Sequence, residues 1–231
     1  MRDQIGNLPS LVALAHELKA PLGLIRHLAL SRDYCTEQER LTALRRIELA
    51  AERSLRLMEA ISMTSRPLEF AGEPINLNCL CEHIAHELAP LCREKNQAIE
   101  LNLPRQPLLA VGDRQLLSSV IFGLCDNAFS YGSKDKPIML RTSRRANRAR
   151  ITVTDHGPGL DKKQLAEIAG RLGNAPQVVS NRPGSSGLGL YIADQFAKVM
   201  QGELGTKQSR NGEQSFYVDL PHSSQLSLLS L

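Results

Sequence analysis

The chain has 231 residues, of which 42% are apolar and 23% charged, with a formal net charge of +4 at pH 7. That length holds one large domain or two small ones, and the apolar share is ample for a packed core, which excludes a disordered or fibrous chain. The positive excess is small and spread along the chain, apart from five arginines between Arg141 and Arg150, so no nucleic acid partner is indicated.

No apolar run approaches the roughly 18 residues that span a bilayer, and the opening Met-Arg-Asp-Gln-Ile-Gly-Asn lacks the apolar centre of a signal peptide. A cytoplasmic location with no membrane segment in this chain is therefore expected. Five cysteines without framework spacing fit reduced thiols better than disulfides. Cys79, Cys81, His83 and His86 crowd together, but on a helix Cys81 points away from the other three, which argues against a zinc site.

The first element is a long helix. Leu8, Leu11, Val12, Leu14, Leu18, Leu22, Ile25 and Leu28 recur at three- and four-residue spacing, and His16 and Glu17 ride on it. The imidazole of His16 is nucleophilic near neutral pH, and Glu17 beside it can accept or orient a proton. Pro21 lacks an amide for the carbonyl of Glu17 and is expected to loosen that turn.

Ser31 to Glu37 breaks the pattern, and Thr36 with Glu39 forms a capping-box signature for a second helix running to about Ser65. Its expected apolar stripe is Leu41, Leu44, Ile47, Ala51, Leu55, Met58 and Ile61 or Ser62. An antiparallel two-helix hairpin cannot enclose its own apolar stripes, so two hairpins are expected to pair as a four-helix bundle in a homodimer.

Arg66-Pro67 and Gly72-Glu73-Pro74 mark a linker. Beyond it Ile75 to Leu77 reads as a short strand, Asn78 as a helix cap and Cys79 to Lys95 as a helix. Strand signals follow at Ala98 to Leu103, Leu108 to Val111, Ile138 to Ser143, Arg150 to Thr154, Leu204 to Lys207 and Ser215 to Leu220. Helical patterns fall at Arg114 to Ser130, Lys162 to Gly173 and Leu188 to Met200. The fold class expected is α+β, a helical hairpin followed by a sandwich of one sheet with helices on one face.

Three stretches of this second segment carry chemistry. Asp126-Asn127-Ala128 places polar groups inside an otherwise apolar helix. Asp155-His156-Gly157-Pro158-Gly159 follows a strand, with a carboxylate at its end and glycines that let the backbone approach a ligand closely. Gly184-Ser185-Ser186-Gly187-Leu188-Gly189 opens a helix, where free amides favour phosphate.

In the order His-Glu-x-x-x-Pro, Asn-Ala, Asp-x-Gly-x-Gly, Gly-x-Gly-Leu, these motifs resemble the sensor histidine kinases of two-component signalling, over nearly the whole chain. The resemblance implies a dimerisation and phosphotransfer hairpin at 1–66, a linker at 67–74, an ATP-binding catalytic domain of the histidine kinase ATPase type at 75–221, and a tail at 222–231. It implies that His16 accepts phosphate with Glu17 as its acid-base neighbour, and that Asn127 holds the magnesium ion of Mg-ATP. It further implies that Asp155 receives the adenine amine, that Gly157 and Gly159 shape the base pocket, and that Gly187, Leu188 and Gly189 belong to the phosphate lid. The implied reaction is ATP-dependent autophosphorylation, followed by transfer to an aspartate of a response regulator receiver domain.

The chain also departs from the family. A second asparagine often stands where this sequence has Gly123, and a basic residue where it has Ser130. ATP hydrolases that resemble the same domain place a water-activating glutamate at the position of Gly123, which disfavours hydrolysis here.

Overall fold

A computed structural model describes residues 8–31, 36–65, 72–157, 188–209 and 213–223. The chain divides into two compact units, the first built on two N-terminal helices and the second on the elements that follow. Among the described residues no helix is long and apolar enough to cross a membrane.

In the first unit, α1 (Leu8–Leu30) packs on α2 (Glu37–Ser65). α1 continues through Pro21, which is buried. α2 starts as its sequence requires: Glu39 N donates to Thr36 Oγ1 at 3.2 Å and Thr36 N donates back to Glu39 Oε2 at 2.9 Å, so two amides at the helix start are satisfied reciprocally.

Burial along α2 is known for part of its side chains. Ala43, Ala50 and Ser54 are buried, spaced by seven and four residues on one face, whereas Leu41, Leu44, Leu55 and Met58 are each more than half exposed.

The second unit runs β1 (Glu73–Asn76), α3 (Leu77–Lys95), β2 (Ile99–Asn102), β3 (Leu109–Gly112), α4 (Arg114–Tyr131), β4 (Ile138–Arg145), β5 (Arg148–Asp155), α5 (Leu188–Val199), β6 (Glu203–Gln208) and β7 (Gln214–Pro221). β1 and β3 pair antiparallel as a separate ribbon. The main sheet has the order β2-β4-β5-β7-β6, parallel at β2–β4 and antiparallel elsewhere.

Alternation decides which face of that sheet is covered. Ala149, Ile151, Val153 and Asp155 of β5 are buried, as are Phe216, Val218 and Leu220 of β7, while the residues between them on β5 are partly open. Leu77, Leu80 and Ile84 of α3, Leu117, Ile121 and Leu124 of α4, and Phe196 of α5 are fully buried and complete the core. Burying a side chain of this size removes about 1.5–3 kcal/mol of exposure cost, so these residues dominate the stability of the unit.

The cap of α3 is Asn76, not Asn78. Asn76 Oδ1 accepts from the amides of Asn78 and Cys79 at 3.1 and 3.4 Å, and Leu77 is the first helical residue rather than the end of a strand. Asn78 instead is a buried cross-link. Its Nδ2 donates to the carbonyls of Pro104 and Gln106, and its Oδ1 accepts from Thr142 Oγ1 at 2.7 Å. Either asparagine suits a cap locally, and the long-range partners of Asn78 decide between them.

On α3 the thiol of Cys81 faces the core, and burial, with Glu82 nearby, pushes its pKa up to about 12. Cys79 is exposed, and His83 stands 3.1 Å from Glu87. Among the described residues no three His, Cys, Asp or Glu side chains are grouped to hold a metal ion.

The less covered face of the sheet holds one strong polar pair. Arg150 Nε and Nη2 each reach a carboxylate oxygen of Asp219 at 2.6 Å, and the guanidinium lies 3.6 Å from the centre of the Tyr217 ring. Asp219 is 7% exposed. Removing one partner strands the other charge, so Asp219→Ala is expected to cost about 3 kcal/mol, read as a lower midpoint in urea unfolding. An unchanged midpoint would show the pair to be marginal.

Candidate active site

The end of β5 and the last turn of α4 form one compact corner. Asp155 is the final residue of β5, falls on the covered face of the sheet and is 6% exposed. Its Oδ1 accepts from Gly157 N at 2.9 Å, so the side chain holds its own following turn.

Glycine is required at two positions of this corner for space. A Cβ on Gly157 would stand 2.1 Å from the carbonyl oxygen of Tyr131 and 3.0 Å from Asp155 Oδ1. A Cβ on Gly132 would stand 2.5 Å from the carbonyl oxygen of Ala128 and 3.2 Å from Asp155 Cβ. Gly132 N closes α4 by donating to Ala128 O at 2.7 Å. The turn after β5 is thus pressed against the C-terminal end of α4, which fixes the direction of the Asp155 carboxylate.

α4 starts from a cap in which Asp113 Oδ1 accepts from Leu116 N at 2.9 Å. Leu117, Val120, Ile121, Leu124, Cys125 and Ala128 face the core, so helical spacing turns Gly123, Asp126, Asn127 and Ser130 to the other side. Asn127 is half-buried and lies one turn before Tyr131, about 6 Å along the axis.

Gly123 shares that face, and a Cβ there would meet nothing within 4 Å. An interior helical glycine in free space only adds backbone entropy to the unfolded chain, so Gly123→Ala is expected to raise stability by about 0.5–1 kcal/mol, measured by thermal unfolding. A lower melting temperature would mean that the space is needed in the folded state.

The other sequence-derived residues are distributed as follows. His16 and Glu17 lie on α1, where only their helical backbone is described. Leu188 is the first residue of α5, and Gly189 beside it is exposed, with open space where a Cβ would point. Gly159, Gly187, the expected helix at 162–173 and the serine-glycine run before α5 lie outside the described residues.

Three contributors, Tyr131, Gly132 and Gln214, are not singled out by sequence. Tyr131 and Gly132 form the wall against which Asp155 rests, and only a Tyr-Gly at a helix end hints at it. Gln214 is the register partner of Asp155 on β7 and is 3% exposed. Its signal is a polar residue at a buried parity in an alternating strand. His156 Nδ1 stands 3.4 Å from Glu213 Oε1, joining the turn after β5 to the start of β7.

Residues 112–224 match the family described as histidine kinase-, DNA gyrase B-, and HSP90-like ATPase. The sensor histidine kinase TrcS of Mycobacterium tuberculosis is 30% identical over 222 residues, covering 91% of this chain and 43% of TrcS. The sensor protein kinase PmrB of Pseudomonas aeruginosa is 28% identical over 204 residues, covering 86% of this chain and 42% of PmrB. The chain thus spans less than half the length of these relatives. Among solved structures, full-length ShkA in complex with AMPPNP superimposes with a TM-score of 0.65 at 20% identity, over 95% of this chain and 47% of ShkA. The Acinetobacter baumannii histidine kinase AdeS superimposes with a TM-score of 0.61 at 16% identity, over 90% of this chain and 98% of AdeS, and both likenesses concern the fold. With its ordered motifs, the buried carboxylate at the end of β5 and these relatives together, the chain carries at 112–224 a domain of the histidine kinase-, DNA gyrase B-, and HSP90-like ATPase family and is similar to sensor histidine kinases over most of its length.

Proposed function

We propose that this chain is the catalytic core of a sensor histidine kinase, which phosphorylates itself on His16 from Mg-ATP and passes the phosphoryl group to an aspartate of a response regulator. The observation that carries the reading is the corner itself: a buried carboxylate, Asp155, held against the end of the same helix that presents Asn127. A carboxylate accepts the exocyclic amine of adenine, and a half-open asparagine one helical turn away can take a ligand place on magnesium.

Phosphoryl transfer asks the protein for positioning and charge neutralisation more than for covalent chemistry. Magnesium, held by Asn127, would neutralise charge on the phosphates. Asp155, with Gly157 and Gly159, would fix the base, and Gly187, Leu188 and Gly189 would close over the phosphates. The ring nitrogen lone pair of His16 forms the new bond to phosphorus as the bond to the ADP oxygen breaks, and Glu17 holds the proton on the other ring nitrogen.

In this reading residues 1–66 are the dimerisation and phosphotransfer hairpin, 67–74 a linker, 75–221 the catalytic domain and 222–231 a tail. The exposed Leu41, Leu44, Leu55 and Met58 of α2 and Leu22 and Leu30 of α1 support a four-helix bundle with a second copy, since a single hairpin leaves them in water. The reading places the chain in the cytoplasm with its regulator.

The test is incubation with γ-labelled ATP and magnesium. The expected result is a label stable in alkali and lost in acid, the behaviour of a phosphorus–nitrogen bond. An acid-stable label, or none under conditions where ATP binds, would refute the assignment.

A further inference from the structure

We propose that His156 is a positioning residue of the nucleotide site: tied to Glu213, it holds the turn after β5 in the shape that binds nucleotide. The inference rests on the ATP reading above and deepens it, from the residues that touch the nucleotide to a tie that keeps them in place.

His156 stands between Asp155 and Gly157, whose amide closes the turn by donating to Asp155 Oδ1 at 2.9 Å. One side of this turn is braced by α4, because Gly157 leaves no room for a Cβ beside the Tyr131 carbonyl. The other side meets the ends of β6 and β7. Asp155 is in register with Gln214, and Gln214 with Gln208, so the next residue of each chain segment, His156, Glu213 and Ser209, continues that register as one row.

Glu213 is a fixed post in the row. Ser209 N donates to Glu213 O at 2.9 Å, Glu213 N donates to Ser209 Oγ at 3.2 Å, and Ser209 Oγ stands 3.4 Å from Glu213 Oε2. The other carboxylate oxygen, Oε1, stands 3.4 Å from His156 Nδ1. His156 is mostly buried, at 17% exposure, whereas Glu213 is open enough, at 39%, to be replaced without opening the core.

His156 Nδ1 is sealed from solvent and has no hydrogen-bond partner among the described residues, which leaves the Glu213 carboxylate within ion-pair reach as its counterpart. A bare ring lone pair at that place would set acceptor against acceptor, so the ring proton belongs on Nδ1. Water does not compete for a sealed atom, and a lone acceptor in reach then ties it. The turn lies at a strand end, where local opening is easy unless such a tie opposes it. Apparent affinity is the intrinsic affinity scaled by the fraction of molecules in the binding shape. Loosening the tie therefore weakens nucleotide binding without touching the reacting atoms.

Calorimetry on the full chain with ATP and magnesium, beside the rate of autophosphorylation at saturating ATP, tests this. His156→Ala is expected to weaken ATP binding roughly tenfold, the order for a hydrogen bond to a charged group. Its rate at saturating ATP is expected to stay within about twofold of the wild type, as for a change confined to binding. Glu213→Ala should match it, and the double variant should lose no more than either single one, because both remove the same tie. His156→Asn, whose amide can donate from near the place of Nδ1, is expected to bind within about threefold of the wild type. Additive losses, a loss in one single variant without the other, or an asparagine variant as weak as alanine each overturn the proposal. So does unchanged affinity with a lower melting temperature, which would make the pair purely structural. Nitrogen NMR of the wild-type chain needs no variant: the assigned His156 ring is expected to carry a proton on Nδ1 at neutral pH. A bare Nδ1 overturns the proposal even if the variants fail to fold. If the wild-type chain binds no ATP, the ATP reading itself is refuted, an outcome distinct from the others.

Discussion

His16→Gln is expected to take no label from γ-labelled ATP while binding the nucleotide as tightly as the wild type. Glutamine keeps a polar side chain of comparable length, but its amide nitrogen has no lone pair free for attack on phosphorus. The closest rival is His27. It lies eleven residues further along α1, about three turns and 16 Å away, and so projects from nearly the same side of the helix. It is exposed, which removes any steric objection to phosphorylation. The residue after it decides the matter: Leu28, buried at 7% exposure, stands where His16 has Glu17, so no adjacent carboxylate can hold the ring proton of His27. Labelling followed by peptide mass spectrometry separates the two sites. A label that survives in His16→Gln would move the phosphoacceptor elsewhere.

Local signals write most of the fold into the sequence. The Thr36–Glu39 box starts α2 where expected, and the alternating residues of β5 and β7 give both strands and their covered faces. Sequence misleads where two local solutions are equally good. Asn76 and Asn78 both suit a helix cap, and only the carbonyls of Pro104 and Gln106, more than twenty-five residues away, reserve Asn78 for another task. Among the described side chains of α2, Ala43, Ala50 and Ser54 are buried, while Leu41, Leu44, Leu55 and Met58 stay exposed on a single hairpin.

The candidate site divides in the same way. Asp155 and Gly157 are legible because their chemistry is contained in three consecutive residues, a carboxylate closing its own turn. Gln214 is not, because its relevance comes from strand register, which brings it opposite Asp155 across 59 positions of sequence. Gly132 likewise matters through the Asp155 side chain that lies against it. Residues that meet at one corner of the fold need not sit together in the chain, and only strand pairing reveals them.

The same corner yields the second large effect, expected for Asp155. Asp155→Ala is expected to abolish detectable autophosphorylation and to weaken ATP binding about a hundredfold, the range for removing a hydrogen bond to a charged, buried acceptor. Alanine alone is ambiguous, because the carboxylate also accepts from Gly157 N at 2.9 Å and so shapes the turn. Deleting it leaves that amide without its acceptor and is expected to cost about 1–3 kcal/mol of stability. Asp155→Asn separates the two roles. Its amide oxygen can keep the Gly157 bond at the same place, while its second prong becomes a donor that faces the adenine amine with hydrogen against hydrogen. Asp155→Asn should therefore melt within a few degrees of the wild type and still fail to bind ATP. Thermal unfolding and calorimetry on both variants give the readout. If Asp155→Asn bound ATP with near wild-type affinity, the carboxylate would be a structural clasp for the turn after β5, and the base would have to be read elsewhere.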